Sequence, residues 1–270
     1  MITIVDGAAP HPTLDFLKLL AHDVRYTLVI SLAASDRRVQ ELVELLQRPQ
    51  NLISYHLRLL RDGRVVKERR SNADGRDIYY SLDLDQLRAL YLASGQSLHP
   101  ALACAAPVAN LSPTAVVTTA DYGETKRPWR VLFLCTHNSA RSQLAEAILR
   151  ATGGNLVEVF SAGSIPSQVH PLAIRAAAAN HLDISRQRSK HMAEFTGQHF
   201  DYIITVCDQV REVCPVFPGD PQQIHWSFPD PAAIIGSEDE QFPGFLQTAR
   251  ELSTRINYLR LMIERRQKEV

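Results

Sequence analysis

Cysteine, methionine and tryptophan are scarce in this 270-residue chain, at 4, 3 and 2. So few thiols over this length argue against a disulfide-stapled secreted scaffold, which depends on dense cross-linking. Net charge is lacking too: 29 Lys and Arg balance 29 Asp and Glu. That excludes a globally basic nucleic-acid binder but leaves room for a local basic patch. No long run of strongly apolar residues occurs. The one extended stretch without charged residues, 92–120, holds Pro100, Pro107 and Pro113 and is mostly Ala rather than Leu or Ile, so it would insert weakly in a bilayer. The opening residues, Met1 to Asp6, lack the charged start and apolar core of a signal peptide. These absences predict a cytoplasmic chain with no membrane partner.

What is present supports two ordinary cores. The chain is 45% hydrophobic and 21% charged, and its length suits two domains better than one. Residues 99–127, rich in Ala, Pro and Thr, read as a linker between a domain at 1–98 and another at 128–270.

In the second part, the apolar run Val131 to Leu134 ends at Cys135, and after five residues Arg141 opens a segment with helical spacing at Leu144, Ala145, Ile148 and Leu149. That pattern predicts strand, tight loop, helix. The backbone N–H groups of such a loop can cradle a tetrahedral oxyanion, helped by the positive end of the helix. Thr136, His137, Asn138, Ser139, Ala140 and Arg141 would form the cradle, with Arg141 as a bidentate fork. Cys135 at the bottom of this positive bowl would be held as a thiolate near neutral pH. Downstream, Cys207 ends an apolar run and Cys214 follows it. Their spacing is wrong for a usual structural zinc half-site but suits a thiol that attacks an intermediate and a second that draws the oxidation outward. Two unrelated core thiols remain an alternative on spacing alone. Asp230, before Pro231, reads either as a turn or helix cap or as a general acid. Alternating strands and helices from Trp129 onward predict a parallel sheet covered by helices, with the reactive loop at a strand's carboxyl end.

The first part reads as short helices, two of them joined by a four-residue turn, then a hairpin: Val65 to Arg69 and Arg76 to Ser81 around Asn72-Ala73-Asp74-Gly75. Between residues 48 and 76 basic residues outnumber acidic ones. Gln50, Asn51, Ser54, Tyr55 and Arg58 are candidates for contacts to a double-stranded DNA operator, and Arg69, Arg70 and Arg76 for its backbone or minor groove. The plain alternative is a solvated, charged hairpin on a protein-interaction module.

This N-terminal pattern resembles the winged helix-turn-helix of the arsenical-resistance repressor (ArsR/SmtB) family, through Ser54 to Gly63 and Asp77 to Tyr80. The resemblance implies a mostly helical DNA-binding domain with a β-hairpin wing and homodimerisation through it. The cysteine pair with which many members sense metals is absent from the helix at Val39, and Cys104 stands alone near His99. Residues 129–270 resemble the low-molecular-weight tyrosine phosphatase fold, and more closely its thioredoxin-coupled arsenate reductase branch. The matching segments are Cys135 to Glu146, Ser161 to Gly163, Leu182 to Ser185, Cys207 with Cys214 to Pro218, and His225 to Ala232. His137 departs from the glycine usual in that loop, and Ala140 from a frequent cysteine.

That second resemblance implies an α/β enzyme that takes arsenate, or phosphate or sulfate as look-alikes, and reduces arsenate through Cys135, Cys207 and Cys214. It implies Asp230 as acid, Ser142 as hydrogen-bond partner of the Cys135 thiolate, and a thioredoxin-like thiol as electron donor, with no tightly bound cofactor. In some relatives Asn138, Glu146, Ser161 and Asp183 match positions that hold a potassium ion. Rival expectations are a phosphatase, which needs only Cys135, Arg141 and Asp230 and usually carries an aromatic where Ala232 stands, and a regulator whose second domain senses oxyanion or redox state.

Overall fold

A computed structural model of the chain describes residues 12–73, 75–99, 102 and 127–269. Cys104, most of the expected 99–127 linker, and Asp74 in the expected turn lie outside the described residues. The chain divides into two compact units: Met1–Ala33, Arg37–Arg69 and Ile78–Asn110 form one, and Ala34–Asp36, Arg70–Asp77 and Leu111–Val270 the other.

The first is mainly helical. Helices α1 (Pro12–Leu20), α2 (Asp23–Ala34), α3 (Val39–Leu46) and α4 (Gln50–Asp62) precede strands β2 (Val66–Arg70) and β3 (Ile78–Leu82) and helix α5 (Leu84–Leu98). With the two-residue β1 (Arg37–Arg38), the strands order as β1-β3-β2. On α4, Ile53, Leu57 and Leu60 repeat at helical spacing and are fully buried. The chain turns between α3 and α4 because Gln47 adopts a left-handed φ of 51° and Pro49 sits just before α4 with φ −57°. Helix α5 starts at Leu84 because the Asp83 carboxylate accepts the Gln86 N–H.

The second unit carries a four-stranded sheet, β5-β4-β6-β7, whose neighbouring strands all pair in parallel. Its strands are β4 (Trp129–Cys135), β5 (Val157–Gly163), β6 (Tyr202–Thr205) and β7 (Gln222–His225). Its helices are α6 (Arg141–Gly153), α7 (Pro171–Ala179), α8 (Asp208–Glu212) and α9 (Glu238–Glu269). Residues 131–135 are buried without alternation, as a central parallel strand requires when both its faces are covered. Helix α6 lies on β4 and β5, and α9 packs on α6 and α7. The fully buried Phe245, Leu252, Ile256 and Ile263 recur along one face of α9 and give it its apolar stripe. No helix among the described residues is long and apolar enough to cross a membrane.

The strand order positions the chemistry. From β4 the chain crosses first to β5 and then back past β4 to β6, so a crevice opens at the carboxyl ends of β4 and β6, where the winding reverses. Leu134 is paired with Thr205, and the Val206 N–H bonds to the Leu134 carbonyl at 2.8 Å. The register thus brings Cys135 and Cys207 to the same end of adjacent strands.

Candidate active site

Cys135 is the last residue of β4, 2% exposed, and Arg141 is the first of α6. The intervening loop is shaped by the carbonyls of residues 136–139, which are tied outward. Those of Thr136, His137 and Ser139 accept the N–H groups of Ile165 (2.9 Å), Ser167 (3.0 Å) and His170 (2.9 Å). The Asn138 carbonyl accepts the Ser189 hydroxyl at 2.6 Å and the Gln143 amide at 2.9 Å. In planar trans peptides the following N–H points opposite to the carbonyl, so these bonds turn the loop amides inward. One such amide, that of Asn138, donates to the Cys135 Sγ at 3.1 Å. Asn138 has a left-handed φ of 46°, which asparagine tolerates better than most residues. Helix α6 has no side-chain cap, so its first-turn N–H groups are free to meet an anion.

Gly163, at the end of β5, makes the loop's fit possible. A Cβ there would stand 2.5 Å from the Thr136 carbonyl oxygen and 2.8 Å from the Asn138 nitrogen, closer than side chains approach backbone.

Around the thiol, Ser142 Oγ lies 2.8 Å from Cys135 Sγ. The Asn138 side-chain amide donates to Ser142 Oγ and to Ser161 Oγ, each at 2.9 Å. Because Ser142 accepts from Asn138, its own O–H is free to donate to Cys135. Arg141 is 6% exposed, donates to the Phe228 carbonyl at 3.0 Å and pairs with Asp230 at 3.0 Å. Asp230 accepts the Ala232 N–H on Oδ1 at 3.1 Å, the cap expected of its position, while Oδ2 faces Arg141.

Cys207, 4% exposed, lies with its Sγ 3.3 Å from the hydroxyl of Thr136, the residue after Cys135. Burial first, and then the charge of Cys135, push the Cys207 thiol above its ordinary value, and Arg141 opposes this. Cys214 is half-buried beyond α8, and burial pushes it up to about 11. All three are free thiols. Behind them, the buried His225 ring joins Thr205 Oγ1 (2.8 Å) to Asp208 Oδ1 (3.2 Å), and Ser227 Oγ donates to the same Asp208 oxygen at 2.7 Å. This ties the segment after Cys207 to the one leading to Asp230. Burial lowers the His225 pKa, so its ring is neutral near pH 7.

The residues expected around potassium are brought together only in part. Asn138, Ser161 and Glu146 form one chain, in which the Ser161 hydroxyl donates to Glu146. Asp183 is exposed and its carboxylate instead accepts the Ser185 N–H at 2.9 Å. The Glu146 carboxylate is paired with the Arg150 guanidinium and with the Lys190 ammonium at 3.3 Å, and the Asn138 Oδ1 is taken by the Lys190 N–H at 2.7 Å and Gln143 at 3.0 Å. Oxygens so occupied by donors and fixed cations do not fit a potassium ion. Gln143 and Lys190 were not singled out by the sequence: Gln143 lies within the Cys135 to Glu146 segment without a role of its own there, and Lys190 arrives from a distant loop.

In the first unit, Gln50, Asn51, Ser54, Tyr55 and Arg58 share the exposed face of α4, with Arg58 5.6 Å from the centre of the Tyr55 ring. Arg69 and Arg70 lie at the end of β2, and Arg76 lies exposed in the connection to β3.

Residues 130–269 match the family model of low molecular weight phosphotyrosine protein phosphatase. The chain is 36% identical over 126 residues to an arsenate reductase of Halalkalibacterium halodurans, spanning 47% of this chain and 91% of that protein. It is 38% identical over 126 residues to an arsenate reductase of Brevibacillus brevis, spanning 47% and 90%. Among solved structures, a thioredoxin-dependent arsenate reductase of Corynebacterium glutamicum is 31% identical and covers 52% of this chain and 64% of its own, with a TM-score of 0.41.

Proposed function

The chain belongs to the low molecular weight phosphotyrosine protein phosphatase family through residues 130–269, its curated relatives include arsenate reductases, and from that premise we propose that it reduces arsenate to arsenite by a three-thiol relay. The observation that carries this reading is the arrival of Cys135 and Cys207 at the same end of adjacent strands, with Cys207 Sγ 3.3 Å from the hydroxyl of Thr136. Phosphoester hydrolysis has no use for Cys207 or Cys214.

Arsenate enters the loop with its oxygens against the inward amides and Arg141. The Cys135 thiolate, held by the Ser142 hydroxyl and the Asn138 N–H, forms a sulfur–arsenic bond while an oxygen leaves as water on the proton supplied by Asp230. Cys207 then attacks the Cys135 sulfur. The sulfur–arsenic bond breaks with its electron pair going to arsenic, so As(V) becomes As(III), and the two thiols become a disulfide. Cys214 attacks Cys207 and releases Cys135 as a thiolate. The Cys207–Cys214 disulfide closes across α8 (Asp208–Glu212), and in this reading α8 rearranges as it forms, moving Cys214 outward to a thioredoxin-like dithiol in a reducing cytoplasm.

The test is turnover of arsenate with thioredoxin and its reductase, followed by mass mapping of disulfides. Activity is expected to vanish in Cys135→Ser, Cys207→Ser and Cys214→Ser alike, and a Cys207–Cys214 bond is expected after arsenate treatment. Aryl phosphate hydrolysis without arsenate-dependent thiol oxidation would reverse the assignment in favour of a phosphatase.

We also propose that residues 1–98 are a winged helix-turn-helix DNA-binding domain that dimerises, joined by the 99–127 linker to an enzyme domain at 128–270. The exposed polar face of α4 supports this, since Gln50, Asn51, Ser54 and Tyr55 can address base edges and Arg58 phosphate. Gel-shift binding to the chain's own promoter is expected, weakened by salt. No binding in any redox or arsenic-liganded state would reject it.

A further inference from the structure

Lys190 closes a ring of hydrogen bonds behind Cys135 that no catalytic step above uses. Its backbone N–H donates to Asn138 Oδ1 at 2.7 Å, and its ammonium, on a side chain 14% exposed, lies 3.3 Å from Glu146 Oε2. Asn138 Nδ2 donates to Ser161 Oγ at 2.9 Å, and Ser161 donates to that same Glu146 oxygen. The direction of every donor is consistent. With Asn138 donating to Ser142 and Ser161, each serine has its O–H left for an anion: Ser142 for Cys135, Ser161 for Glu146.

Glu146 anchors this chain, yet its carboxylate is 4% exposed, and a buried carboxylate is costly without a compensating charge. Arg150 holds one of its oxygens from a side chain 55% exposed. Lys190 holds the other from inside. The Lys190 carbonyl also accepts the Gly163 N–H at 2.9 Å, so its backbone is pinned to the strand end that abuts the anion loop. A charge tethered this way costs no ion-binding equilibrium.

We propose that Lys190 is a positioning residue whose ammonium is the built-in cation of the Glu146–Ser161–Asn138 chain, so that Cys135 keeps its hydrogen-bonded setting without a bound monovalent metal ion. This rests on the reading of Cys135 as nucleophile. It accounts for the misfit of potassium among the same residues: the position next to Glu146 Oε2 is already held by an ammonium.

The test reads Cys135 directly, by its alkylation rate with iodoacetamide at pH 7, followed on the Cys135 peptide by mass spectrometry in the full chain. Wild-type rates are expected to agree within about twofold in potassium, sodium and tetramethylammonium chloride at equal ionic strength. Lys190→Met is expected to slow alkylation about tenfold, the scale of one charge-assisted hydrogen bond. Lys190→Arg should keep most of the rate, and added ammonium or potassium chloride should restore part of it to Lys190→Met while tetramethylammonium does not. A merely structural lysine would show no such cation-specific rescue.

A wild-type rate that collapses when potassium is replaced by tetramethylammonium overturns the proposal, as does a folded Lys190→Met that alkylates at the wild-type rate. If Lys190→Met fails to fold by circular dichroism, Lys190→Gln against Lys190→Arg supplies the comparison, and the salt series on wild type decides independently. Alkylation needs no arsenate, so a chain inactive on arsenate would sink the proposed function and leave this result standing.

Discussion

Arg141 and Asp230 face each other at 3.0 Å, the arginine side chain 7% exposed and the aspartate 31%. The guanidinium that would grip an oxyanion is thus neutralised by the carboxylate that would protonate its leaving oxygen, and the two partners compete for one fork. Asp230→Asn is expected to lower turnover about 10²- to 10⁴-fold, the usual worth of a general acid, while inhibition by phosphate becomes tighter. Steady-state kinetics with phosphate as competitor check both. Weaker phosphate binding in this variant would show that Asp230 does not compete for Arg141.

Gly163→Ala should damage the site through the backbone alone. The added methyl would lie 2.5 Å from the Thr136 carbonyl oxygen, so the loop must shift to admit it, at about 1–3 kcal/mol of stability. The expected result is a folded protein with a lower melting temperature, weaker phosphate protection of Cys135 against alkylation, and unchanged secondary structure by circular dichroism.

The Cys214 thiol, pushed by burial up to about 11, should be a poor nucleophile in the reduced protein. At pH 8 the thiolate is the reactive form, so Cys214 is expected to alkylate about 100-fold more slowly than an ordinary cysteine. Unfolding relieves the burial, and Cys214 should then react at an ordinary rate; alkylation of the reduced Cys207→Ser protein with and without urea compares the buried and the exposed thiol.

His225 should make the protein sensitive to mild acid. Its folded pKa is lowered by burial, so below the ordinary value of about 6.5 the unfolded chain binds the proton more readily than the folded one. Stability is then lost as pH falls through that value and is fully present above it. His225→Gln is expected to be less stable at pH 8, because the bridge from Thr205 to Asp208 is broken, yet to lose less on going from pH 7 to pH 5. Urea unfolding at these values measures both. The buried His56, lowered mainly by burial too, leaves part of the slope in place.

Much of the second unit follows from local sequence. Val131 to Cys135 is apolar throughout because a central parallel strand has no solvent face, and that signal was readable directly. So was the helix after Arg141, and the placing of Cys135 at its mouth. The short α8 was not, because five residues carry too little periodicity, and neither was β1, whose two residues become a strand only by pairing with β3.

By itself the sequence determined which reactive groups exist and where each stands on its strand, since strand ends and helix starts are written in short-range pattern. Only the tertiary structure decided which of them meet. The β5-β4-β6 order makes neighbours of Cys135 and Cys207, 72 positions apart in sequence by their numbers, and the loop carrying Lys190 brings an ammonium to Glu146. No local pattern encodes such meetings, because they depend on the winding of the sheet and on the packing that follows from it.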